Sequence, residues 1–257
     1  MRLAIAGAGG RMGHALIEAA LADPELSVAA ALEAPGHPDL GREVAGVRLG
    51  SDVAAAAAAA EVLIDFTRPD GTLANLEACL RVSRPMVIGT TGFTAQQKAR
   101  IAEAGRRIAI AMSPNFAVGV NVAFKLAETA AKALGGYDVE IVEAHHRRKA
   151  DAPSGTALRL GEVIARALGR DLGAVAVHGR KGETGERASS QIGFHAIRGG
   201  DIVGEHTVIF AGEGERVELT VRSHSRATYA LGALRAAKWL KGRPAGIYDM
   251  ADVLGMK

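Results

Sequence analysis

The sequence predicts an α/β protein in two parts: a doubly wound parallel sheet, then an α+β domain of different winding. Three observations predict it. Apolar runs at 3–6, 28–32, 62–66, 85–88 and 108–111 alternate with helix-forming stretches, as in a parallel sheet with helices on both faces. The turn after the first run is rich in glycine. After Phe116 the alternation stops: a helix over about 118–134 is followed by strands, including a hairpin at 207–210 and 217–221 around Gly212-Glu213-Gly214.

The first run leads into Gly7-Ala8-Gly9-Gly10-Arg11-Met12-Gly13, and a helix follows from about 11 to 21, closed by Pro24. The second run ends at Glu33, about twenty residues past the last of these glycines. Strand, glycine turn, helix, strand and acid together are the fingerprint of a Rossmann-like dinucleotide site. Glycines allow close backbone approach to a pyrophosphate, and the helix N-terminus attracts it. The spacing departs from G-x-G-x-x-G, and Gly7, Gly10 and Gly13 are the glycines that fit. Gly7, Ala8, Gly9, Gly10, Arg11 and Met12 are thus expected to hold a nucleotide cofactor, with Glu33 on a ribose. Glu33 would repel a 2′-phosphate, and Ala34 follows it, which favours NADH over NADPH; Arg11 is the nearby cation able to reach a phosphate.

Asp52 is placed to cap a helix over the alanine run 54–60. Gly89, Thr90 and Thr91, and then Ser113, Pro114, Asn115 and Phe116, follow later strands of the same sheet. Ligands of such sheets lie beyond the carboxyl ends of the strands, so these residues are expected to continue the cofactor crevice. Gly89, Thr90 and Thr91 offer backbone and hydroxyl groups to a ribose or nicotinamide.

The densest chemistry lies at 137–156. Val139 and Ile141 alternate with Asp138, Glu140 and Glu143 in a strand, which ends in His145-His146-Arg147-Arg148-Lys149. Asp151-Ala152-Pro153-Ser154-Gly155 breaks the chain, and a helix opens at about Thr156. Cations between a strand end and a helix N-terminus suit a small, multiply charged anion. Adjacent histidines on a strand face opposite ways. A metal site is the other reading of the pair, but no carboxylate or thiol cluster follows, and no metal is expected. His178, His195, His206 and His224 show no partner, and a structural role is expected for each.

The second domain's sheet is expected to be largely antiparallel, with one face under its helices and the other covered by subunit association. A last helix over 227–240 and an apolar tail return to the first domain. This gives a dinucleotide domain of 1–116 with 226–257, and a substrate and oligomerisation domain of 117–225. Hinges near Phe116 and Ser225 are expected to close on binding.

Hydrophobic residues make up 48% and aromatics only 4%, so alanine and aliphatic residues must fill the core. The formal charge of +3 is interspersed, without a nucleic-acid arm or a polybasic membrane patch. No apolar run is long enough to span a bilayer. Cys79 is alone and reads as a small buried residue. With no leader evident, the expectation is a soluble, cytoplasmic protein.

The residues now assembled resemble one family, the 4-hydroxy-tetrahydrodipicolinate (dihydrodipicolinate) reductases of diaminopimelate and lysine biosynthesis. The resemblance rests on residues 6–13, Gly89-Thr90-Thr91-Gly92, Ser113-Pro114-Asn115-Phe116, and above all Glu143-Ala144-His145-His146 through Lys149-Ala150-Asp151-Ala152-Pro153-Ser154-Gly155-Thr156. Gly200-Asp201-Ile202-Val203-Gly204-Glu205-His206 adds to it. It implies a homotetramer reducing a cyclic unsaturated dicarboxylate with NADH or NADPH. His145 would donate or accept the proton and Lys149 donate one; His146 would bind substrate, with Gly155 and Thr156 on a carboxylate. Ala34 stands where NADPH-using members often carry Arg, which puts dual specificity in doubt. The competing readings are another Rossmann dehydrogenase, acting on a semialdehyde or a sugar, and a nicotinamide-sensing regulator or nucleic-acid binder. The first lacks a cysteine in a catalytic loop, the second a basic reading helix or arm.

Overall fold

The structure, a computed structural model, describes residues 1–44 and 46–257. Two compact units partition the chain: Met1–Val118 with Arg226–Lys257, and Gly119–Ser225.

In the first unit the chain runs β1 (Arg2–Ala6), α1 (Arg11–Leu21), β2 (Ser27–Leu32), β3 (Glu43–Val44), β4 (Val47–Gly50), α2 (Val53–Ala59), β5 (Val62–Asp65), α3 (Pro69–Arg81), β6 (Met86–Ile88), α4 (Ala95–Ala104) and β7 (Ala109–Met112). Asp52 accepts from the Ala55 N–H and starts α2, so the alanine run is helical as its propensity predicts. Thr94 and Gln97 close a reciprocal capping box on α4. The helix α5 (Val118–Ala133) begins at the boundary between units.

The second unit continues with β8 (Asp138–His145), α6 (Gly155–Ala167), α7 (Leu172–Val175), β9 (Ala176–His178), β10 (Ile192–Arg198), β11 (Gly204–Ala211) and β12 (Arg216–Ser223). The chain then returns to the first unit with α8 (Ala227–Leu240), β13 (Gly246–Tyr248) and α9 (Met250–Val253).

The first unit's eight-stranded sheet has the order β13-β7-β6-β5-β1-β2-β4-β3. Its pairs are parallel except β3 with β4. The chain leaves β1 towards β2 and β4, then returns to β5 on the other side of β1. That reversal is the switch point where such sheets open a ligand crevice. One face is closed by α1 and α8, whose Leu16, Ile17, Ala233 and Leu240 pack with Leu3 and Ile5. The other is closed by α2, α3 and α4 around Leu63, Leu76, Met86 and Ile101. Cys79 is buried there, and burial pushes its thiol up to about 12, so it behaves as an apolar residue.

The second unit's sheet has the order β12-β11-β8-β10-β9. Here the expectation of a largely antiparallel sheet is corrected. β12-β11 and β11-β8 are antiparallel, but β8-β10 and β10-β9 are parallel. The segment from α6 to β9 carries the chain back before β10 begins, as a parallel neighbour requires. One face packs Val139, Ile141, Phe194, Val208 and Phe210 under α5 and α6. The other carries an ion-pair ladder: Glu140 accepts from Arg180, Arg187 and His195, and Arg187 also holds Asp138. Ile197 stands 52% exposed on that face.

The strand pattern of β8 also needs correcting at Glu143. Its register places it with Val139 and Ile141 on the helix-covered side, opposite Asp138 and Glu140. It is 1% exposed, and a carboxylate so buried must be paired.

Candidate functional site

The nucleotide elbow of the first unit is built from glycine sterics. Gly7 has φ of +79°, a left-handed conformation that side chains disfavour. A Cβ on Gly13 would lie 2.2 Å from the Gly7 carbonyl oxygen and 2.4 Å from the Ala8 Cα. Only glycine lets α1 press this closely on the turn. The N–H groups of Gly7 and Ala8 both reach the Leu32 carbonyl, at 2.9 and 3.0 Å. Gly10 starts α1 without a side-chain cap, so the first-turn N–H groups of Arg11, Met12 and Gly13 remain available to an anion. This is the donor set a pyrophosphate needs, and the cradle fits one.

Glu33 follows β2 and accepts from the Gly9 N–H at 2.9 Å and the Ala34 N–H at 3.2 Å. It therefore ties the elbow to the strand it must face, with a negative charge at the expected ribose position. Thr91 is exposed. The Thr90 hydroxyl is not open to a ligand, which narrows the expectation for it: it donates to Asp65 at 2.7 Å and accepts from the Thr67 N–H at 3.0 Å. Only the backbone of Thr90 remains to bind. Gly89 lies against the Phe66 ring, where a Cβ would come within 2.2 Å. Ser113 and Asn115 form a tight turn, with Ser113 Oγ donating to the Asn115 carbonyl at 2.7 Å. Pro114 is exposed in that turn, and Phe116 is buried with its ring 5.9 Å from that of Phe66.

Asp65 was not singled out by sequence. It ends β5 fully buried and accepts from Thr67, Thr72 Oγ1, Asn75 Nδ2 and Thr90 Oγ1, joining the loops after β5 and β6. The available signal was a carboxylate closing an otherwise apolar strand.

In the second unit, His145 ends β8 and His146 starts the loop. His145 Nδ1 lies 2.6 Å from Glu143 Oε2. Arg198 Nη1 and Nη2 each donate to one Glu143 oxygen at 2.7 Å, and the Ser154 N–H donates to Oε1 at 3.1 Å. Ser154 is the N-cap of α6; its hydroxyl accepts from the Ala157 N–H at 3.2 Å and meets His206 Nε2 at 2.9 Å. The His206 ring sits edge-on to His145, with centroids 5.2 Å apart. His206 has partners that the sequence did not show, and they fit the structural role expected of it: its ring bridges the helix cap and the histidine at the strand end.

The second unit thus gathers His145, His146 and Lys149 with the opening of α6 at Gly155 and Thr156, as the pattern predicts, and adds Glu143, Ser154, Arg198 and His206. Gly155 is exposed with nothing crowding its Cα. Among the described residues, His146 Nδ1 is buried without a partner. Lys149 Nζ is held by both oxygens of Asp151, at 2.8 Å each. The Ala152–Pro153 bond in this loop is cis.

Burial lowers the His145 pKa below the ordinary 6.5; Glu143 opposes this, while the charges of Lys149 and Arg198 reinforce it. Burial alone would raise Glu143, but its bonds from Arg198, His145 and Ser154 outweigh it and keep the carboxylate below its usual range. Burial, and then the His145 charge, push His206 down to about 4, so it is neutral at ordinary pH. Among the described residues, no group of three or more His, Cys, Asp and Glu is placed to hold a metal ion.

Comparison with known proteins matches both units. A model described as dihydrodipicolinate reductase, N-terminus, covers residues 1–116, and its C-terminus counterpart covers 119–254. The chain belongs to the dihydrodipicolinate reductase family. It is 59% identical to the 4-hydroxy-tetrahydrodipicolinate reductase of Dechloromonas aromatica over 100% of this chain and 98% of that one. Against the enzyme of the same name from Thiobacillus denitrificans it is 56% identical, over 100% and 99%. Among solved structures, a dipicolinate-bound dihydrodipicolinate reductase from Paenisporosarcina sp. TG-14 superposes with a TM-score of 0.80 at 25% identity, covering 98% of each chain. A probable dehydrogenase from Thermotoga maritima, at 12% identity, TM-score 0.64 and coverage of 100% and 93%, shares the fold. As a dihydrodipicolinate reductase family member the chain is an oxidoreductase, and its N-terminal unit is a pyridine-nucleotide domain. No helix among the described residues is long and apolar enough to cross a membrane.

Proposed function

We infer that this chain reduces 4-hydroxy-tetrahydrodipicolinate to tetrahydrodipicolinate, with release of water, in diaminopimelate and lysine biosynthesis. The bound nicotinamide nucleotide supplies the hydride. Gly7, Ala8, Gly9, Gly10, Arg11 and Met12 would hold its pyrophosphate, Glu33 a ribose, and the turns at Gly89, Thr90 and Thr91 and at Ser113, Pro114, Asn115 and Phe116 its nicotinamide half. The observation that carries the proton step is the pairing of His145 Nδ1 with a buried carboxylate, which leaves Nε2 as the nitrogen that exchanges a proton. As an imidazolium, His145 gives the Nε2 proton to the charge that hydride addition leaves on the ring. His146, Lys149, Gly155 and Thr156 orient the substrate carboxylates. A coupled assay with freshly made substrate tests this: nicotinamide absorbance should fall only when the ring acid is supplied, and no turnover would overturn the reading.

Asp151 takes up to two of the three Lys149 Nζ protons and leaves one for the substrate. Asp151 is 63% exposed, so the ion pair contributes little to folding, about 0–1 kcal/mol. Lys149→Ala should therefore lower kcat/KM for the ring acid about 10- to 100-fold, near the lower end of the general-acid range, with the melting temperature nearly unchanged. A lower melting temperature with wild-type kinetics would assign Lys149 to the salt bridge instead.

NADH is the favoured cofactor, since Glu33 stands at the ribose with Ala34 beside it. In parallel titrations NADH should bind at least as tightly as NADPH. A strong preference for NADPH would mean that Arg11 or another cation compensates. We further propose a cytoplasmic homotetramer associated through the open face of the second unit's sheet. That proposal is supported by exposed Ile197 amid an otherwise paired ladder of charges.

A further inference from the structure

Glu143 carries more bonds than a strand-end acid needs. One oxygen meets His145 Nδ1 and Arg198 Nη1; the other meets the Ser154 N–H and Arg198 Nη2. Arg198 Nη2 also reaches the Asp151 carbonyl at 2.7 Å, and Nη1 the Ile197 carbonyl at 2.7 Å, so the guanidinium is itself pinned. From this geometry we propose that Glu143, clamped by Arg198, is the positioning residue that couples the proton donor His145 to the carboxylate cradle at the start of α6. The proposal rests on the reductase reading of the site.

Three consequences follow from the bonding. A carboxylate fixed on Nδ1 keeps the proton on that nitrogen in both states of the ring, so all proton traffic passes through Nε2. The same carboxylate sets the height of Ser154, the N-cap, and with it the first turn that holds the substrate anion. The ring and the cradle are then held in one frame, as a near-attack geometry requires. Finally, the negative charge favours the imidazolium, the form that donates. The other groups facing His145 do not supply this. Lys149 on the following loop and Arg198 from β10 are cations, and His206 from β11 is neutral. A buried ion pair is weak evidence for stability, because apolar residues commonly do as well; here the acceptor faces the reacting imidazole.

The sign of the pH effect is fixed by these roles. Donation needs protonated His145, so activity is lost as pH rises through its pKa. Removing the Glu143 charge lowers that pKa, and the alkaline limb moves towards acid. The test uses full-length protein with 15N-labelled histidine, His145 being assigned by the resonance lost in His145→Gln. In Glu143→Gln the His145 titration should fall by about 1 pH unit or more, and the alkaline limb of kcat should fall with it. Turnover at neutral pH should drop about 10- to 100-fold, KM for the ring acid should rise, and NADH affinity should stay as in the wild type. A folded Glu143→Gln with a wild-type His145 titration and pH limb would overturn the proposal. Should that variant not fold, Arg198→Lys decides. It keeps one positive charge but loses the planar fork that spans both Glu143 oxygens while also holding the Asp151 and Ile197 carbonyls, so KM for the ring acid should rise; an unchanged KM and titration overturn the proposal. The titration needs no substrate, so a wild-type protein that fails to reduce the ring acid would defeat the reductase reading separately.

Discussion

His145→Gln should lower turnover by about 10² to 10⁴-fold while NADH affinity stays as in the wild type. In the proposed mechanism the imidazole is the proton donor, and its loss removes the Nε2 that the bond on Nδ1 leaves to exchange a proton. Every nucleotide contact inferred above lies in the other unit, on the turns after β1, β2, β6 and β7. Glutamine keeps an N–H donor for Glu143, so the buried carboxylate is not stranded, and the melting temperature should move little. The residual rate should also lose its alkaline limb, which in the wild type falls below the ordinary histidine value because burial lowers the His145 pKa. Steady-state kinetics across pH, with a separate NADH titration, measure all of this. Unchanged turnover would remove His145 from the mechanism.

Gly13→Ala should abolish measurable NADH binding and destabilise the first unit by about 1–3 kcal/mol. The added Cβ would meet the Gly7 carbonyl and the Ala8 Cα, both backbone atoms that no rotamer change can move aside. α1 would have to back away from the turn, taking its first-turn N–H groups from the pyrophosphate and loosening Leu16 and Ile17 in the core. Gly10→Ala is the graded comparison: its Cβ would lie 3.2 Å from the Gly7 carbonyl oxygen alone, so its loss should be milder. NADH titration and thermal melting report the two effects. Wild-type NADH affinity in Gly13→Ala would show that the nucleotide does not use this turn.

The first unit was legible because each of its signals is local. The glycine elbow and the Asp52 cap each act within a few residues of where they stand. β10 was not foreseen, although Ile192 and Phe194 alternate within it. Gly193 and His195 face Glu140 across the sheet, where a Cβ on Gly193 would come within 1.8 Å of the Glu140 carboxylate. The small and polar character of these positions answers a neighbour some 50 residues away in sequence, invisible to any window. The candidate site divides the same way. His145, His146 and Lys149 announce themselves as a cationic run. Arg198 and His206 reach the site only through sheet register, from β10 and β11. Glu143 did leave a trace. Counting by twos from Val139 through Ile141 puts it on the buried face, where a carboxylate without partners would be too costly to keep.

The return of α8 and β13 to the first unit has a consequence for synthesis on the ribosome. β13 pairs with β7, and Ala230, Ala233, Leu234, Ala237 and Leu240 of α8 belong to the same core as Leu3 and Ile5. The nucleotide unit thus begins before the second unit in the chain and is finished after it. The second unit, with its own core under α5 and α6, has all its residues out earlier. During translation α1 alone covers its face of the early strands, and β7 lacks its β13 neighbour, until the segment after the second unit has followed.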